Sequence, residues 1–410
     1  MTAGYPMATL ATRDRRWQLT EAFLAEHELD CLLVFGLKGR ERFDGYLANE
    51  VLDGVVVFPR RGDPAYLTWT LARYTRRLPA NMQDVRFWID DVRIGPFGPG
   101  IVSVLTEKGL GGSRVGVVGL ASWAAGEMEG IVTHMQWDHV LTSLPDARFQ
   151  DCSIDFSRMM LPKSPEDLEL LRCAADAAER ACRAMLDLTR PGVREAEIYA
   201  EIMSVLHRSS AVAVTPHLIM SVGADDLGWA PPYWTYAGGP SRTVRPGDLV
   251  QAEIMSCYGG FEAQVQMSVA VEPVPDALHG LHDVARRSYE AGLATLRPGA
   301  RFLEVAEAMA QPLRDAGLYS VTPMVHSLSP AVFVGHIALG AEQIPGQGEH
   351  RVFRTIEPRQ DLELKPGMAF AFEPNACTCR HRVNIGGTVV VGEPEPVELN
   401  TIPRAMHVVS

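Results

Sequence analysis

The sequence predicts an α/β N-terminal domain followed by an α+β C-terminal domain that contains an internal pseudo-two-fold repeat. Three observations lead to this fold class. The chain has 410 residues, which is too long for one ordinary core and favours two domains. Helix and strand patterns alternate before residue 158. After that point, one helix–helix–strand pattern occurs twice.

The N-terminal domain begins with a helical pattern and continues with strands. The segment Trp17–Glu28 has a helical pattern, and CLLVFG from Cys31 predicts a buried strand. Further strands are predicted in DGVVVFP from Asp53, in RVGVVGL from Arg114 and at Asp146–Asp151. Strands that alternate with helices indicate a mostly parallel or mixed sheet.

A change of pattern in the stretch LPKSPE, residues 161–166, indicates the domain boundary. Ser164 is a favourable N-cap and Pro165 suits the first helical position, so a long alanine-rich helix is predicted from there to about Leu188. We therefore place the boundary near residue 158, with an N-terminal domain of residues 1–158 and a C-terminal domain of residues 159–410.

Four Pro-Gly turns define the repeat of the C-terminal domain. They lie at residues 190–192, 245–247, 297–299 and 365–367. The first and third open a helix, whereas the second and fourth precede a strand. In these strands the sixth residue after the glycine is Glu253 or Glu373. Repeated units commonly pack against each other, so Glu253 and Glu373 are predicted to face one cleft from its two sides.

A row of carboxylates and amides runs along a predicted hairpin, GDLVQAEIMSCYGGFEAQVQMSV, at residues 247–269. Successive strand residues point to opposite faces, so Glu253 lies on one face of the first strand. On the second strand, Glu262, Gln264 and Gln266 share a face. Polar side chains in this arrangement, on strands that are otherwise apolar, predict a polar pocket.

Composition and the N-terminal sequence exclude several classes of function. The formal net charge of −12 argues against a nucleic-acid partner, which normally meets a basic face. The N-terminal segment MTAGYPMATLATRDRRWQL lacks the apolar core of a signal peptide, and no window is apolar for long enough to cross a bilayer. We therefore expect a cytoplasmic protein that binds neither nucleic acid nor a membrane.

Four motifs of the C-terminal domain resemble those of one family. They are MMLPKSPEDLELLRCAADAA from Met159, RPGDLVQAE ending at Glu253, VGHIALG around His336 and LKPGMAFAFEPN around Glu373. The chain is similar in these motifs to the creatinase, prolidase and methionine-aminopeptidase superfamily, peptidase family M24, which has the pita-bread fold. The resemblance implies a creatinase-like N-terminal domain and a pita-bread catalytic domain. In character the chain is closest to metal-independent, creatinase-like members.

The resemblance also implies where the two metal ions of this family would bind. Their ligands are two aspartates, one histidine and two glutamates, and the corresponding residues here are Glu253, Gln264, His336, Glu373 and Gly386. A pair of ions needs carboxylates that bridge them and neutralise their charge. The neutral Gln264 cannot bridge in this way, and Gly386 supplies no ligand. We therefore expect no pair of catalytic metal ions and no other cofactor. A single ion held by Glu253, Glu262, His336 and Glu373 is the alternative.

Without metal ions, the carboxylates Glu253, Glu262 and Glu373 would be crowded, and a cationic group among them would relieve their repulsion. The nearby segment WAPPYWTY supplies aromatic rings, which attract cations through their faces. Trp234 and Tyr236 are the predicted aromatic contacts. The expected partner is therefore a small-molecule substrate that carries a positive charge.

His336 is the predicted acid/base, and Glu373 is predicted to stabilise its imidazolium. Glu342 stands where the family has a histidine. The predicted substrate-binding residues are Glu253, Glu262, Gln264, Trp234, Tyr236, His326 and Glu342. With these residues, the resemblance to creatinase-like members implies a metal-independent hydrolase that cleaves a C–N bond, of an amidine or amide, in a small cationic or zwitterionic substrate.

Three alternatives to this function stay open. The chain could be a metal-dependent Xaa-Pro-type peptidase, a lyase of the same fold, or a binding protein that has lost the chemistry. A measurement of metal content distinguishes the peptidase and the lyase from the metal-independent hydrolase and the binding protein. Turnover in metal-free buffer distinguishes an enzyme from a binding protein. By resemblance alone, we also expect a homodimer.

Overall fold

The computed structural model describes residues 5–36, 43–50, 54–70, 88–120, 132–214, 216–335, 340 and 361–410. The chain divides into two compact units, Met1–Met160 and Leu161–Ser410. The sequence predicted a division near residue 158. In the described part of the chain, no helix is both long enough and apolar enough to span a membrane.

The first unit has the predicted α/β class. Its described elements are α1 (Leu10–Glu26), β1 (Cys31–Phe35), α2 (Phe43–Ala48), β2 (Gly54–Pro59), β3 (Ala65–Thr68), β4 (Asp91–Ile94), α3 (Phe97–Glu107), β5 (Arg114–Val118), α4 (His134–Ser143), β6 (Arg148–Asp151) and α5 (Ser153–Met160). The strands form one mixed sheet in the order β4-β3-β2-β1-β5-β6. Strand β2 is antiparallel to β1 and to β3, and the other three pairs are parallel.

Continuous apolar sequences explain why the central strands of this sheet are buried. Every residue of β1 and β2 is buried, as expected for strands covered on both faces. Helices α3 and α4 contribute Ile101 and Val140 to the core that these strands share. The four strands predicted from Cys31, Asp53, Arg114 and Asp146–Asp151 are all present.

The second unit has the predicted α+β class. Its described helices are α6 (Pro165–Leu188), α7 (Glu195–Arg208), α8 (Trp234–Ala237), α9 (Asp276–Thr295) and α10 (Phe302–Asp315). Its described strands are β7 (Val212–Ala213), β8 (Ile219–Val222), β9 (Leu249–Tyr258), β10 (Phe261–Val271), β11 (Val325–Ser327), β12 (Ala369–Phe372), β13 (Asn375–Cys377), β14 (Arg382–Asn384), β15 (Gly387–Val390), β16 (Val397–Glu398) and β17 (Met406–Val409). They form a sheet β17-β10-β9-β7, with β8 also paired to β9, a sheet β11-β12-β15-β16 and the pair β13-β14.

Helix α6 begins and ends as the sequence predicts. The Ser164 hydroxyl accepts a hydrogen bond from the Asp167 backbone N–H at 3.2 Å, and the Asp167 carboxylate accepts one from the Ser164 N–H at 3.1 Å. This reciprocal capping satisfies two donors that a helix N-terminus otherwise leaves free, with Pro165 at the first position. The helix ends at Leu188.

The two halves of the repeat make matching contacts. In the first half, the N–H of Gly192 donates to the carbonyl of Val244 at 2.9 Å. In the second, the N–H of Gly299 donates to the carbonyl of Leu364, also at 2.9 Å. Helices α7 and α10 then begin after equivalent arginines, Arg194 and Arg301, each with a glutamate three residues later that caps the helix. The internal repeat read from the sequence is therefore present in the structure.

Strands β9 and β10 form the predicted hairpin. Tyr258 pairs with Phe261, so the loop consists of Gly259 and Gly260 with φ of 58° and 84°. Two successive positive φ angles are favourable for glycine and match the twist of a two-residue hairpin. On one face, residues such as Ile254 and Val265 pack in an apolar core with helices α6 and α7. The other face carries the polar row.

The equivalent glycines Gly247 and Gly367 provide a test of the packing around the turn in the second half of the repeat. Both have positive φ, 87° and 82°, so alanine at either position costs about 1–2 kcal/mol for the backbone alone. At Gly367 a Cβ would also lie 2.7 Å from the carbonyl oxygen of Lys163, whereas at Gly247 its nearest neighbour lies at 3.7 Å. We expect Gly367→Ala to lower the Tm of the second unit by several degrees more than Gly247→Ala, as measured by calorimetry. Equal shifts would contradict this packing.

Candidate functional site

The polar row of the hairpin lies on one buried face of the sheet. Antiparallel pairing places Glu253 opposite Gln266. Because directly paired residues point to the same face, Glu262 and Gln264 on β10 join them there. All four side chains are at most 5% exposed. The face that alternation predicted from the sequence is therefore a buried polar surface and not a solvated one.

Glu373 completes this surface from the second half of the repeat. It follows β12, and its backbone N–H donates to the carbonyl of Met324 at 2.9 Å. Its side chain accepts a hydrogen bond from the Gln266 amide, between Nε2 and Oε2, at 3.0 Å. The counterparts Glu253 and Glu373 thus both lie next to Gln266. Glu253 is its cross-strand neighbour, and Glu373 accepts its hydrogen bond.

A buried histidine faces the other oxygen of Glu373. His326 on β11 places Nε2 at 3.3 Å from Glu373 Oε1, and both side chains are less than 10% exposed. The Nδ1 atom of His326 lies 2.8 Å from the carbonyl oxygen of Ser327, which can only accept, so Nδ1 carries a proton. A second proton, on Nε2 or on Oε1, turns the 3.3 Å contact into a hydrogen bond. His326 and Glu373 are therefore a pair that can exchange a proton.

The expected pair of His336 with Glu373 lies partly outside the described residues. His336 and Glu342 both fall in residues that the structure does not describe, so their roles stay predictions. The sequence placed His326 among the substrate-binding residues and left open an assisting part beside His336. The contact with Glu373 makes it a candidate partner for proton transfer.

Asn384 fixes the orientation of the Gln266 amide. The Nδ2 group of Asn384 donates to Gln266 Oε1 at 3.1 Å, so the amide nitrogen of Gln266 must point to Glu373. Asn384 is itself bonded to Ser268 through backbone and side chain. The hydrogen bonds thus form a path in which Asn384 donates to Gln266 and Gln266 donates to Glu373. Sequence reasoning missed this path because its members come from strands far apart in the chain.

Glu253 and Glu262 each accept a hydrogen bond from a neighbouring side chain. The indole N–H of Trp229 donates to Glu253 Oε2 at 2.8 Å. The amide of Gln264 donates to Glu262 Oε1 at 2.7 Å. Gln264 thus presents its N–H₂ group to the carboxylate, while its buried Oε1 has no hydrogen-bond partner among the described residues.

A buried arginine lies beside the carboxylates, and the sequence analysis missed it. Arg382 on β14 is 2% exposed and donates from Nη1 to the carbonyl of Gly228 at 2.8 Å. Burial lowers the pKa of its guanidinium from the usual value, while the charges of Glu253 and Glu373 act in the opposite direction. These carboxylates therefore have one positive charge near them within the chain. A charged residue inside the short strand pattern HRVN was the available signal.

The aromatic segment contributes a different residue from those predicted. The indole N–H of Trp234 donates to Glu195 at 3.0 Å, and its ring packs edge-on against Tyr199 on helix α7. Tyr236 is 69% exposed. No described contact joins either residue to the carboxylates of the polar row, whereas Trp229 is bonded to Glu253.

The described donors do not fit the pair of metal ions that the resemblance implies. Gly386 has φ 155°, and a Cβ there would lie 1.9 Å from the carbonyl oxygen of Phe372, so the position has no room for a glutamate ligand. At the second aspartate position, Gln264 turns its amide N–H₂ to Glu262. Among the described residues, no three His, Cys, Asp or Glu side chains are grouped so that they could hold a metal ion.

Comparison with known proteins defines the family. The profile of Metallopeptidase family M24 matches residues 169–393, more than half of the chain, and the chain belongs to this family. Over 96% of its length it is 22% identical to an ectoine hydrolase of Halomonas elongata, also covering 96% of that protein. A creatinase of Bacillus sp. is 23% identical over 67% of the chain, and the chain spans 62% of that relative.

Other relatives and the solved structures are peptidases by name. The chain spans 44% and 62% of two further relatives, one named an uncharacterized hydrolase/peptidase and the other a probable dipeptidase. The X-Pro aminopeptidase of Thermotoga maritima superposes with a TM-score of 0.73 at 17% identity, covering 96% of this chain and 99% of the other. This likeness confirms the predicted fold, in which an N-terminal domain is followed along the chain by a C-terminal domain with the pita-bread fold.

Replacement of Arg382 tests its role as a buried counter-ion. In Arg382→Met, the Gly228 carbonyl loses a charged donor and Glu253 and Glu373 lose a nearby positive charge, so we expect the free energy of unfolding to fall by about 1.5–3 kcal/mol. Adding Glu253→Gln should restore part of this loss. Arg380 is the matched control, because it is an exposed neighbour paired with Asp225 and its replacement by Met should cost at most about 1 kcal/mol. Urea unfolding measures all of these variants, and similar losses for Arg382→Met and Arg380→Met would contradict the assignment.

Proposed function

We propose that this protein is a hydrolase that uses no catalytic metal and cleaves a C–N bond, of an amidine or amide, in a small cationic or zwitterionic substrate. The observation that carries the proposal is the buried pair of His326 and Glu373 on a surface that also holds Glu253 and Glu262. A proton-exchanging pair and two further carboxylates provide acid/base chemistry and attraction for a cation at one place.

The misfit of the metal ligands supports the metal-independent form of the proposal. The position of one glutamate ligand has no space for a side chain, and one aspartate position holds an amide that already donates to Glu262. Relatives named ectoine hydrolase and creatinase support a substrate that is not a peptide, and the first of them aligns over nearly the whole chain. Relatives named as dipeptidases keep the peptidase as the second candidate.

The pair supplies the proton transfers that hydrolysis needs. As the oxygen of water forms a bond to the substrate carbon, the basic member of the pair accepts a proton from that water. The same proton then passes to the substrate nitrogen as the C–N bond breaks, so the pair returns to its starting state. Gln266 stays bonded to Glu373 Oε2 and keeps Oε1 directed at His326. Glu253 and Glu262 hold the positive part of the substrate.

The metal-independent form is tested by metal content. Protein purified without chelators should contain well under one equivalent of Mn, Fe, Co or Zn per chain, because the described ligand set is incomplete. Elemental analysis measures this, and turnover of the identified substrate should persist after dialysis against a chelator. Two metal ions per chain, with activity lost on chelation, would favour the Xaa-Pro-type peptidase instead.

Kinetics of single variants test the assignment of the pair. A thermal-shift screen of ectoine, small guanidino acids and Xaa-Pro dipeptides identifies a ligand, and the products of turnover are then analysed. We expect His326→Ala and Glu373→Gln to lower kcat by about 10²–10⁴-fold, the typical contribution of general acid–base catalysis. Glu253→Gln should mainly raise KM, because it removes an attraction present in both ground and transition states.

Two histidine variants complete this experiment. His207 is exposed on α7, so His207→Ala is the control and should leave kcat unchanged. If His336→Ala lowers kcat and His326→Ala does not, then His336 is the acid/base, as the sequence predicted. If the folded variants of both histidines and of Glu373 keep normal kcat, this surface is not the active site.

A further inference from the structure

Three buried polar atoms that have no hydrogen-bond partner in the described part of the chain belong to residues that line one small cavity. They are Ser221 Oγ on β8, Gln251 Oε1 on β9 and Arg382 Nε on β14. Ser221 and Gln251 are paired across the two strands and therefore point to the same face. The cavity has a volume of about 10 Å³, and Glu253 and Asn384 also line it.

The remaining contacts of Gln251 and Arg382 leave one polar atom of each side chain available for another partner. The amide nitrogen of Gln251 donates to the backbone carbonyl of Arg382, which can only accept, so the oxygen of the amide must point elsewhere. Arg382 donates from Nη1 to Gly228, which leaves Nε as a separate donor. An unmet donor or acceptor is costly in a protein interior, and three of them on residues that line one cavity indicate an occupant.

The charges and size of the cavity define the chemistry of that occupant. The carboxylate of Glu253 disfavours an anion and the guanidinium of Arg382 disfavours a cation. An apolar group would leave all three atoms unsatisfied. The occupant must accept from Arg382 Nε and donate to Gln251 Oε1, whereas the Ser221 hydroxyl can do either. A cavity of about 10 Å³ is close to the smallest that holds one water molecule.

We propose that this cavity is a binding site for one ordered water molecule, which is bonded to Arg382 Nε, Gln251 Oε1 and Ser221 Oγ. Through these hydrogen bonds the water joins β8, β9 and β14 in a cavity that Glu253 also lines. It also hydrates the guanidinium at the place where that cation lies beside the carboxylate, so both groups keep their charges in the interior. This site does not depend on the reaction that the protein catalyses.

A crystal structure of the full chain, at a resolution that shows ordered water, tests the site directly. We expect one density peak within 3.5 Å of all three atoms, refined as water at full occupancy. An empty cavity, a bound ion, or side chains turned so that the three atoms bond to protein instead would overturn the proposal.

Two serine variants test the same site in solution. Ser256 on β9 also has a buried hydroxyl without a partner, but it does not line the cavity. Ser221→Ala removes a bond to water and should lower Tm by about 2–4 °C, whereas Ser256→Ala removes an unsatisfied hydroxyl and should leave Tm unchanged or raise it. Calorimetry on both variants measures the difference. Equal shifts, or a larger loss for Ser256→Ala, would overturn the proposal.

Discussion

The hydrogen bond from Gln266 to Glu373 is the contact on which the geometry of the site depends. It joins the hairpin of the first half of the repeat to the strand of the second. Because Asn384 fixes the amide, Gln266 can only donate, and Glu373 receives that donor on Oε2. The other oxygen is then left for His326. A carboxylate in place of Gln266 would repel Glu373, and an apolar residue would leave it unoriented.

The balance of charge on this surface follows from Arg382. Glu253, Glu262 and Glu373 bring three carboxylates, and Arg382 brings one guanidinium to the same region. In a site built for two divalent ions, the ligands meet four positive charges. Here part of the compensation is built into the chain, so the surface needs less positive charge from a ligand. Three carboxylates against one guanidinium still leave the surface negative, which is why the substrate proposed for it carries a positive group.

Most of the fold could be predicted from local sequence, because its signals are local. The Ser164 cap, the turn at Gly259-Gly260 and the alternation along β9 and β10 are each determined within a few residues. The repeat was visible because its Pro-Gly turns recur in order. The polar row was likewise predicted, since strand alternation places Glu253 and Gln266 on defined faces.

Partners within the site could not be predicted in the same way. Alternation shows that Glu373 is buried, but not that His326 and Gln266 lie against it from two other strands. Arg382 reaches Glu253 through the pairing of distant segments, and nothing in HRVN shows which carboxylates it meets. The sequence of the aromatic segment did not show the contacts of its rings, which divide between Glu253 and helix α7.

The backbone at Gly386 makes the loss of its ligand difficult to reverse. With φ 155° and the Phe372 carbonyl oxygen at 1.9 Å from any Cβ, the chain has closed over the place where a side chain would begin. The carbonyl of Gly386 also accepts the N–H of Gln266 at 3.3 Å, so moving it disturbs the strand that orients Glu373. A glutamate substituted at this position alone therefore could not act as a ligand without a shift of the backbone, and that shift would also disturb the groups that take part in the proposed chemistry.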